Sequence, residues 1–374
     1  MRIHLLSVPN TQPTAAFELD GFCLRTRLFA ALLKAIGHDV ILYGVEQTDV
    51  LGVSFVSMLT EAQRKTFIGD TPYQSVPFEF GSPLFMHFNV ACANHIRSTK
   101  QPGDVIATIA GSAQAQIADT HPELPFLEYS VGYSGVAPLA HRVYQSQAWR
   151  HVVHGFTGVL GGRACDAVIP PWFPISEFPF VARPDPYVVY CGRLVPSKGI
   201  ATACEAAKLA GVDLVLIGHG DPALVTYGEF KGAVSHAERN HLLAHATACL
   251  MPTQYIEPFG NVAAEAMLCG TPLISTDFGS FTETVVQGVT GYRCSTLGEF
   301  VQAIHLAPEL DRFKIRQRAR NLYSEDAAQE SYRHWFRRIE ALRGDGWRDL
   351  APGFEAYGTR AVEPASLEVQ ESYA

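Results

Sequence analysis

Residues 187–217, YVVYCGRLVPSKGIATACEAAKLAGVDLVLI, decide the architecture. Tyr187 to Cys191 is a continuously apolar run of strand length, Ile200 to Leu209 has helical spacing, and Asp213 to Ile217 is a second apolar strand. Strands that are apolar on both faces are buried on both, as in a parallel sheet covered by helices. The rhythm continues with a helix around Glu238 to His245, a strand Cys249 to Met251, a helix Asn261 to Leu268 and a strand Leu273 to Ser275. Upstream, Arg2 to Val8, Asp39 to Tyr43, Val105 to Ala110, Phe126 to Val131 and Ala167 to Ile169 read as strands of a first series. Leu24, Leu28, Leu32 and Ile36 form a helical stripe within it, ended by Gly37.

Pro170, Pro171, Pro174, Pro179, Pro184 and Pro186 separate the two series. Such a stretch continues neither a helix nor a central strand, so it reads as an interdomain linker. A chain of 374 residues suits about two domains. The expectation is therefore an α/β protein of two doubly wound domains facing across a cleft, with ligands at the carboxyl ends of the strands. Residues 66–90 interleave Pro72, Pro77 and Pro83 with Phe67, Phe78, Phe80, Phe85 and Phe88, and are expected to form an irregular excursion, either a packed surface loop or a pocket wall. Tyr332, Trp335, Phe336, Ile339 and Leu342 form a late helical stripe, and residues 344–374 read as a loosely held tail.

Composition narrows the class. The 47% hydrophobic content excludes a disordered chain. No stretch approaches the roughly 20 apolar residues of a membrane span, and the N-terminus reads as a first core strand, so the expected location is cytoplasmic. Eight dispersed cysteines without a C-x-x-C pair are expected to be reduced core thiols. The net charge of −8 divides as −2 over residues 1–170, −3 over 185–325 and −3 over 326–374, so neither domain is a polyanion binder by charge. Arg312, Lys314, Arg316, Arg318 and Arg320 are expected to line a solvated helix face, with contact to an anionic acceptor or a membrane surface as the functional alternative.

Two constellations carry chemistry. The first, Gly192-Arg193-Leu194-Val195-Pro196-Ser197-Lys198-Gly199, lies between a strand and a helix, where a guanidinium fork and an ammonium would face a diphosphate. The second, Glu257-Pro258-Phe259-Gly260-Asn261, precedes a helix that carries Glu265 about one turn inside. The amides at that helix start suit an anion, and Glu257 suits sugar hydroxyls. Gly218-His219-Gly220-Asp221-Pro222-Ala223 matches a dinucleotide fingerprint, but Pro222 interrupts its helix start, and a glycine turn lining the nucleotide pocket is expected instead. No P-loop and no G-x-S-x-G elbow is present, and His236, His241 and His245 lack the partners of a metal set.

Gly192-Arg193-Leu194 with Lys198-Gly199, then Glu257-Pro258-Phe259-Gly260 with Glu265, resembles the retaining GT-B glycosyltransferases of family 4, also called group 1. The runs Gly279-Ser-Phe-Thr-Glu283 and Gly288-Val-Thr-Gly291-Tyr292 are similar to that family's C-terminal pattern. The resemblance implies that Arg193 and Lys198 bind the donor diphosphate, that Glu265 holds the ribose, and that Glu257 with the Phe259-Gly260-Asn261 backbone holds the donor sugar. Gly21 would let a first-domain loop approach the phosphates. Relatives tend to place a His where this chain reads Glu128-Tyr129-Ser130-Val131-Gly132-Tyr133-Ser134-Gly135. The implied domains are 1–172, acceptor-binding and rejoined by a helix at 325–343, and 173–324, donor-binding.

The expected activity is sugar transfer from a nucleotide-diphosphate sugar to an acceptor that is a glycan, a lipid, a small molecule or a modified base. The implied catalytic residues are Glu257, Arg193 and Lys198. No cofactor is expected, and no metal, since no two aspartates stand two positions apart. Membrane contact is expected to be peripheral at most, and no oligomeric state follows from the sequence. The alternatives are a GT-B enzyme modifying a nucleic-acid base and a non-catalytic nucleotide-sugar-binding protein.

Overall fold

The computed structural model describes residues 1–343 and 349–350, apart from 19, 77–80, 160–162 and 164. Two parallel sheets form the frame. The first holds β1 (Arg2–Leu6), β2 (Asp39–Val45), β3 (Ser54–Leu59), β4 (Val105–Thr108), β5 (Phe126–Val131), β6 (His141–Tyr144) and β7 (Ala167–Val168), in the order β3-β2-β1-β4-β5-β6-β7. The second holds β8 (Tyr187–Cys191), β9 (Asp213–Ile217), β10 (Glu229–Phe230), β11 (Ala248–Met251), β12 (Leu273–Thr276) and β13 (Gly291–Cys294), in the order β10-β9-β8-β11-β12-β13. The strand order reverses between β1 and β4 in one and between β8 and β11 in the other. Loops leaving the carboxyl ends of the two strands at such a reversal diverge and open a crevice.

Helices α1 (Gly21–Ala35), α2 (Glu61–Ile68), α3 (Pro83–Thr99), α4 (Ala115–Thr120) and α5 (Gln147–Thr157) belong to the first half of the chain. Helices α6 (Ile200–Ala210), α7 (His236–His245), α8 (Asn261–Leu268), α9 (Phe281–Thr284), α10 (Leu297–Leu306) and α11 (Arg312–Tyr323) follow in the second half, and α12 (Glu325–Ala341) ends the series. The stripe Tyr332, Trp335, Phe336 and Ile339 turns α12 into the core of the first half, among Phe29, Leu33, Leu127 and Tyr129. The chain thus crosses between the halves twice, and the crossings meet where the Phe173 amide donates to the Tyr323 carbonyl at 2.9 Å. The 344–374 reading lies outside the described residues except for Asp349–Leu350, which pair with Leu342–Arg343. All eight cysteines are buried and free. Among the described residues no helix is long and apolar enough to cross a membrane.

His38 marks the α12 seam, its ring 4.5 Å from that of Phe336. Burial holds its pKa down to about 4, below the ordinary 6.5. The folded state therefore prefers the neutral ring, and the associated stability, present above pH 6.5, is lost as pH falls towards 4. His38→Gln is expected to flatten part of the decline in melting temperature over that interval; an unchanged profile would rule His38 out as a contributor.

The structure corrects several expectations. Residues 66–90 are helical at their two ends, in α2 to Ile68 and in α3 from Pro83, where Ser82 caps the helix and the missing N–H of Pro83 costs no hydrogen bond. Between them the described residues are irregular apart from a 3-10 turn at Tyr73–Ser75, and Phe67, Thr71, Val76 and Ser82 help line a hollow of about 220 Å³. Phe85 and Phe88 are wholly buried on that helix, and residues 77–80 of the proposed excursion lie outside the described residues. On α1 the buried face is Cys23, Thr26, Phe29, Ala30 and Leu33 with Leu32, while Leu24, Leu28 and Ile36 are only half-buried. The leucine stripe sits at the edge of the buried face, not at its centre. Strands β3, β6, β10 and β13 were not expected; β3, β10 and β13 are edge strands, and all four mix polar with apolar residues, so no continuous apolar run announces them.

The five-cation run does not form a single solvated face either. Arg312 is buried and donates to the carbonyls of Val181 (2.8 Å), Ala246 (2.9 Å) and Ala244 (2.6 Å). Arg316 donates to the carbonyls of Phe178 (2.9 Å) and Leu268 (2.8 Å). Both satisfy carbonyls at the ends of α7 and α8 that helices leave unpaired. Arg312→Ala is expected to cost about 2–4 kcal/mol in chemical denaturation, because several buried acceptors lose their donor, and Lys314→Ala less than about 0.5. Equal effects would refute this division of roles.

Candidate active site

The loop after β8 and the loop after β11 meet at the reversal of the second sheet. Together they line a cavity of about 260 Å³ whose walls include Cys191, Gly192, Arg193, Lys198, Thr253, Glu257, Gly260 and Asn261. Larger hollows exist elsewhere, including one of about 760 Å³ beside Met1, Lys100, Asp104 and Glu340 at the amino ends of the first sheet's strands. The smaller one lies at a strand-order reversal and gathers cations, a carboxylate and a helix start, so it is the candidate site.

Local structure explains how each group arrives there. Pro196–Lys198 form a single 3-10 turn closed by Gly199 at φ 74°. A Cβ at Gly199 would fall 1.9 Å from the Pro252 carbonyl oxygen, so only glycine lets the two loops touch. That contact brings Lys198 to Glu257: Nζ donates to Oε2 at 2.5 Å and lies 5.0 Å from the Tyr255 ring centroid. Arg193 is exposed and has no ion pair among the described residues. Gly260, at φ 81°, is the N-cap of α8, whose first amides open beside the cavity. A Lys, an Arg and a helix start on one concavity suit a diphosphate, and Glu257 adds an acceptor for hydroxyls.

The other predicted residues take different positions. Phe259 is buried, its ring against Tyr323, and its carbonyl accepts from Ser280 Oγ at 2.9 Å, so its side chain holds the loop from behind. Glu265 is buried one turn into α8 and does not line the cavity wall. Its Oε1 accepts from Arg239 Nη2 at 3.1 Å, and Oε2 has no hydrogen-bond partner among the described residues. Burial pushes its pKa up, opposed chiefly by Arg239 and also by His236 and Arg25. Gly21 opens α1 on the first half, capped by Asp20, and a Cβ there would meet no atom within 4 Å. Packing within the protein therefore does not require glycine at 21. The Gly218–Gly220 turn is not part of the cavity wall; it backs the first loop, the Leu194 amide donating to the His219 carbonyl at 2.7 Å.

Three groups make contacts between the halves that were not read from sequence. Arg25, buried on α1, donates to the Trp172 carbonyl at 3.0 Å and reaches Asn261 Oδ1 at 3.5 Å, which links the first half to the start of α8. Burial lowers its pKa to about 10. Ser146 donates to the Pro258 carbonyl at 2.6 Å, and Glu283 accepts from the amides of Gln147 (2.8 Å) and Ala148 (2.6 Å). No local spacing announces such contacts, because each joins residues more than a hundred positions apart. At the segment where relatives place a His, Glu128 is fully buried among Tyr133, the Ala137 amide and Arg142, and burial raises its pKa to about 7.

Residues 185–307 match the family model of glycosyl transferases group 1. Glycogen synthase of Mycobacterium tuberculosis is 34% identical over 140 residues, 32% of this chain and 34% of its own. Phosphatidyl-myo-inositol mannosyltransferase of the same species is 29% identical over 206 residues, 50% of this chain and 51% of its own. The matched segments thus span about a third to a half of these relatives. The solved structure of Anabaena HepE in complex with UDP-glucose superposes with a TM-score of 0.61 at 17% identity, over 90% of this chain and 99% of that one. The chain therefore has the GT-B fold, and its residues 185–307 are similar to the glycosyl transferases group 1.

Proposed function

We propose that this protein is a glycosyltransferase that moves a sugar from a nucleoside-diphosphate sugar to an acceptor. The observation that carries the reading is the meeting of Arg193, Lys198, Glu257 and the start of α8 on one cavity. As the bond from anomeric carbon to phosphate oxygen breaks, negative charge gathers on the departing diphosphate. Two cations and a helix N-terminus stabilise that charge in the transition state more than in the ground state. Lys198, held by Glu257 before the donor arrives, would exchange part of that ion pair for the diphosphate. Glu257 is then released towards the sugar hydroxyls, and the unpartnered Oε2 of Glu265, buried behind the cavity wall, would reach the ribose only after the start of α8 shifts to admit the donor.

In this reading residues 173–324 bind the donor, and residues 1–172 with 325–343 bind the acceptor. The family resemblance supports retention of anomeric configuration. The cations present supply the charge a metal would otherwise bring, so turnover is expected to be unchanged in excess chelator; loss restored by a divalent cation would refute metal independence. The direct test is thermal-shift screening with UDP-, GDP-, ADP- and CMP-linked sugars, followed by transfer assays with the donor that binds. A donor present at about 100 times its Kd would add about 2.7 kcal/mol to stability. The absence of any shift, donor hydrolysis or transfer across the panel would overturn the reading.

A further inference from the structure

Glu283 closes the Gly279–Glu283 run, to which the functional reading assigns no role. It stands on α9 in the second half, yet both of its carboxylate oxygens accept from the first half: Oε2 from the Gln147 amide at 2.8 Å and Oε1 from the Ala148 amide at 2.6 Å. These are the first amides of α5, groups with no partner inside their own helix. One residue earlier, Ser146 Oγ accepts from the Trp149 amide at 3.0 Å and donates to the Pro258 carbonyl at 2.6 Å. The start of α5 is thus held at two points by the second half. One point lies in the Glu257–Asn261 loop, whose Glu257 and Asn261 line the cavity. A negative carboxylate on a helix N-terminus is a favourable pairing, and two charge-assisted hydrogen bonds give it direction.

We propose that Ser146 and Glu283 form a latch between the halves, in which Ser146 is a positioning residue for the donor loop contributed by the opposite half. Closing the halves and fixing the Pro258 carbonyl are then one event, since the same serine caps α5 and ties down the loop. The chain crossings at Phe173 and Tyr323 join the halves covalently, and the latch is a separable, non-covalent contact. The catalytic consequence rests on the glycosyltransferase reading; the mechanical one does not.

The test is backbone hydrogen exchange on the full chain without donor, for wild type, Ser146→Ala, Ser146→Thr and Glu283→Ala. If Ser146 only caps its own helix, Ser146→Ala speeds exchange at Trp149 and leaves residues 256–262 unchanged. The latch requires that Ser146→Ala also speed exchange in 256–262, and that Glu283→Ala speed it at Gln147 and Ala148, each by roughly tenfold. Ser146→Thr, which keeps the hydroxyl, should return 256–262 to wild-type rates. Cross-half exchange unchanged in Ser146→Ala and Glu283→Ala would overturn the latch. With a donor found by thermal shift, Ser146→Ala is expected to raise the donor KM, with Ser146→Thr restoring it. An unchanged KM beside accelerated loop exchange would remove the positioning role. Failure of every donor to bind would instead count against the glycosyltransferase reading, with the exchange result intact.

Discussion

Lys198→Ala is expected to lower sugar transfer by roughly 10²–10³-fold while the protein stays folded. The loss has two parts. The cation that would meet the leaving diphosphate disappears, and Glu257, its partner at 2.5 Å, is left as an uncompensated carboxylate on the cavity wall. An unpaired carboxylate there repels the donor. Lys198→Ala combined with Glu257→Gln should therefore bind donor better than Lys198→Ala alone, a non-additivity that a double-mutant cycle measures. Arg193→Ala is the cleaner companion, because Arg193 is exposed and has no ion pair among the described residues. Its melting temperature should match wild type, so a fall in kcat/KM belongs to the substrate contact. Glu265→Ala should abolish transfer too, and Glu265→Gln keeps the side chain's shape beside Arg239 as a control for folding. Steady-state kinetics with the donor found by thermal shift provide the measurement. Near-normal turnover in all three alanine variants would refute the assignment of this cavity to the donor.

Trp335→Ala is expected to destabilise the protein by about 3–5 kcal/mol. Trp335 is 1% exposed in the core of the first half, although it belongs to the last helix. Its indole N–H donates to the Cys165 carbonyl at 2.6 Å, and its ring lies 5.1 Å from that of Phe336. Truncation removes a large apolar surface, leaves a cavity, and strips a buried carbonyl of its donor. Trp335→Phe refills most of the space and loses only the hydrogen bond, at about 1–2 kcal/mol. Urea unfolding separates these cases. A loss below about 1 kcal/mol for Trp335→Ala would mean that α12 adds little to the first half.

The second half was the more legible part of the sequence because its inner strands are buried on both faces. Tyr187–Cys191 and Asp213–Ile217 had the predicted bounds, as did α8 at Asn261–Leu268. The site loops were legible for a related reason: a glycine that must pass within touching distance of another backbone, such as Gly199 at Pro252, leaves a mark in sequence. The first half was harder to read. Edge strands such as β3 interrupt their apolar residues with polar ones, and Pro83 reads as a helix breaker unless its place in the first turn is known.

The sequence by itself determined the two α/β series, the turn residues that shape the cavity loops, and the cations and carboxylates offered to it, because strand burial and turn geometry are local demands on composition. Only the tertiary structure decided what each charge does. Arg312 and Arg316 were turned inward to satisfy helix ends, Lys198 was set against Glu257, and Glu265 was buried beside Arg239. Ser146, Arg25 and Glu283 were brought to the seam between the halves. The physical reason is distance along the chain: Ser146 and Pro258 stand 112 positions apart and Arg25 and Asn261 stand 236 apart, and no periodicity within either segment encodes where the other will lie.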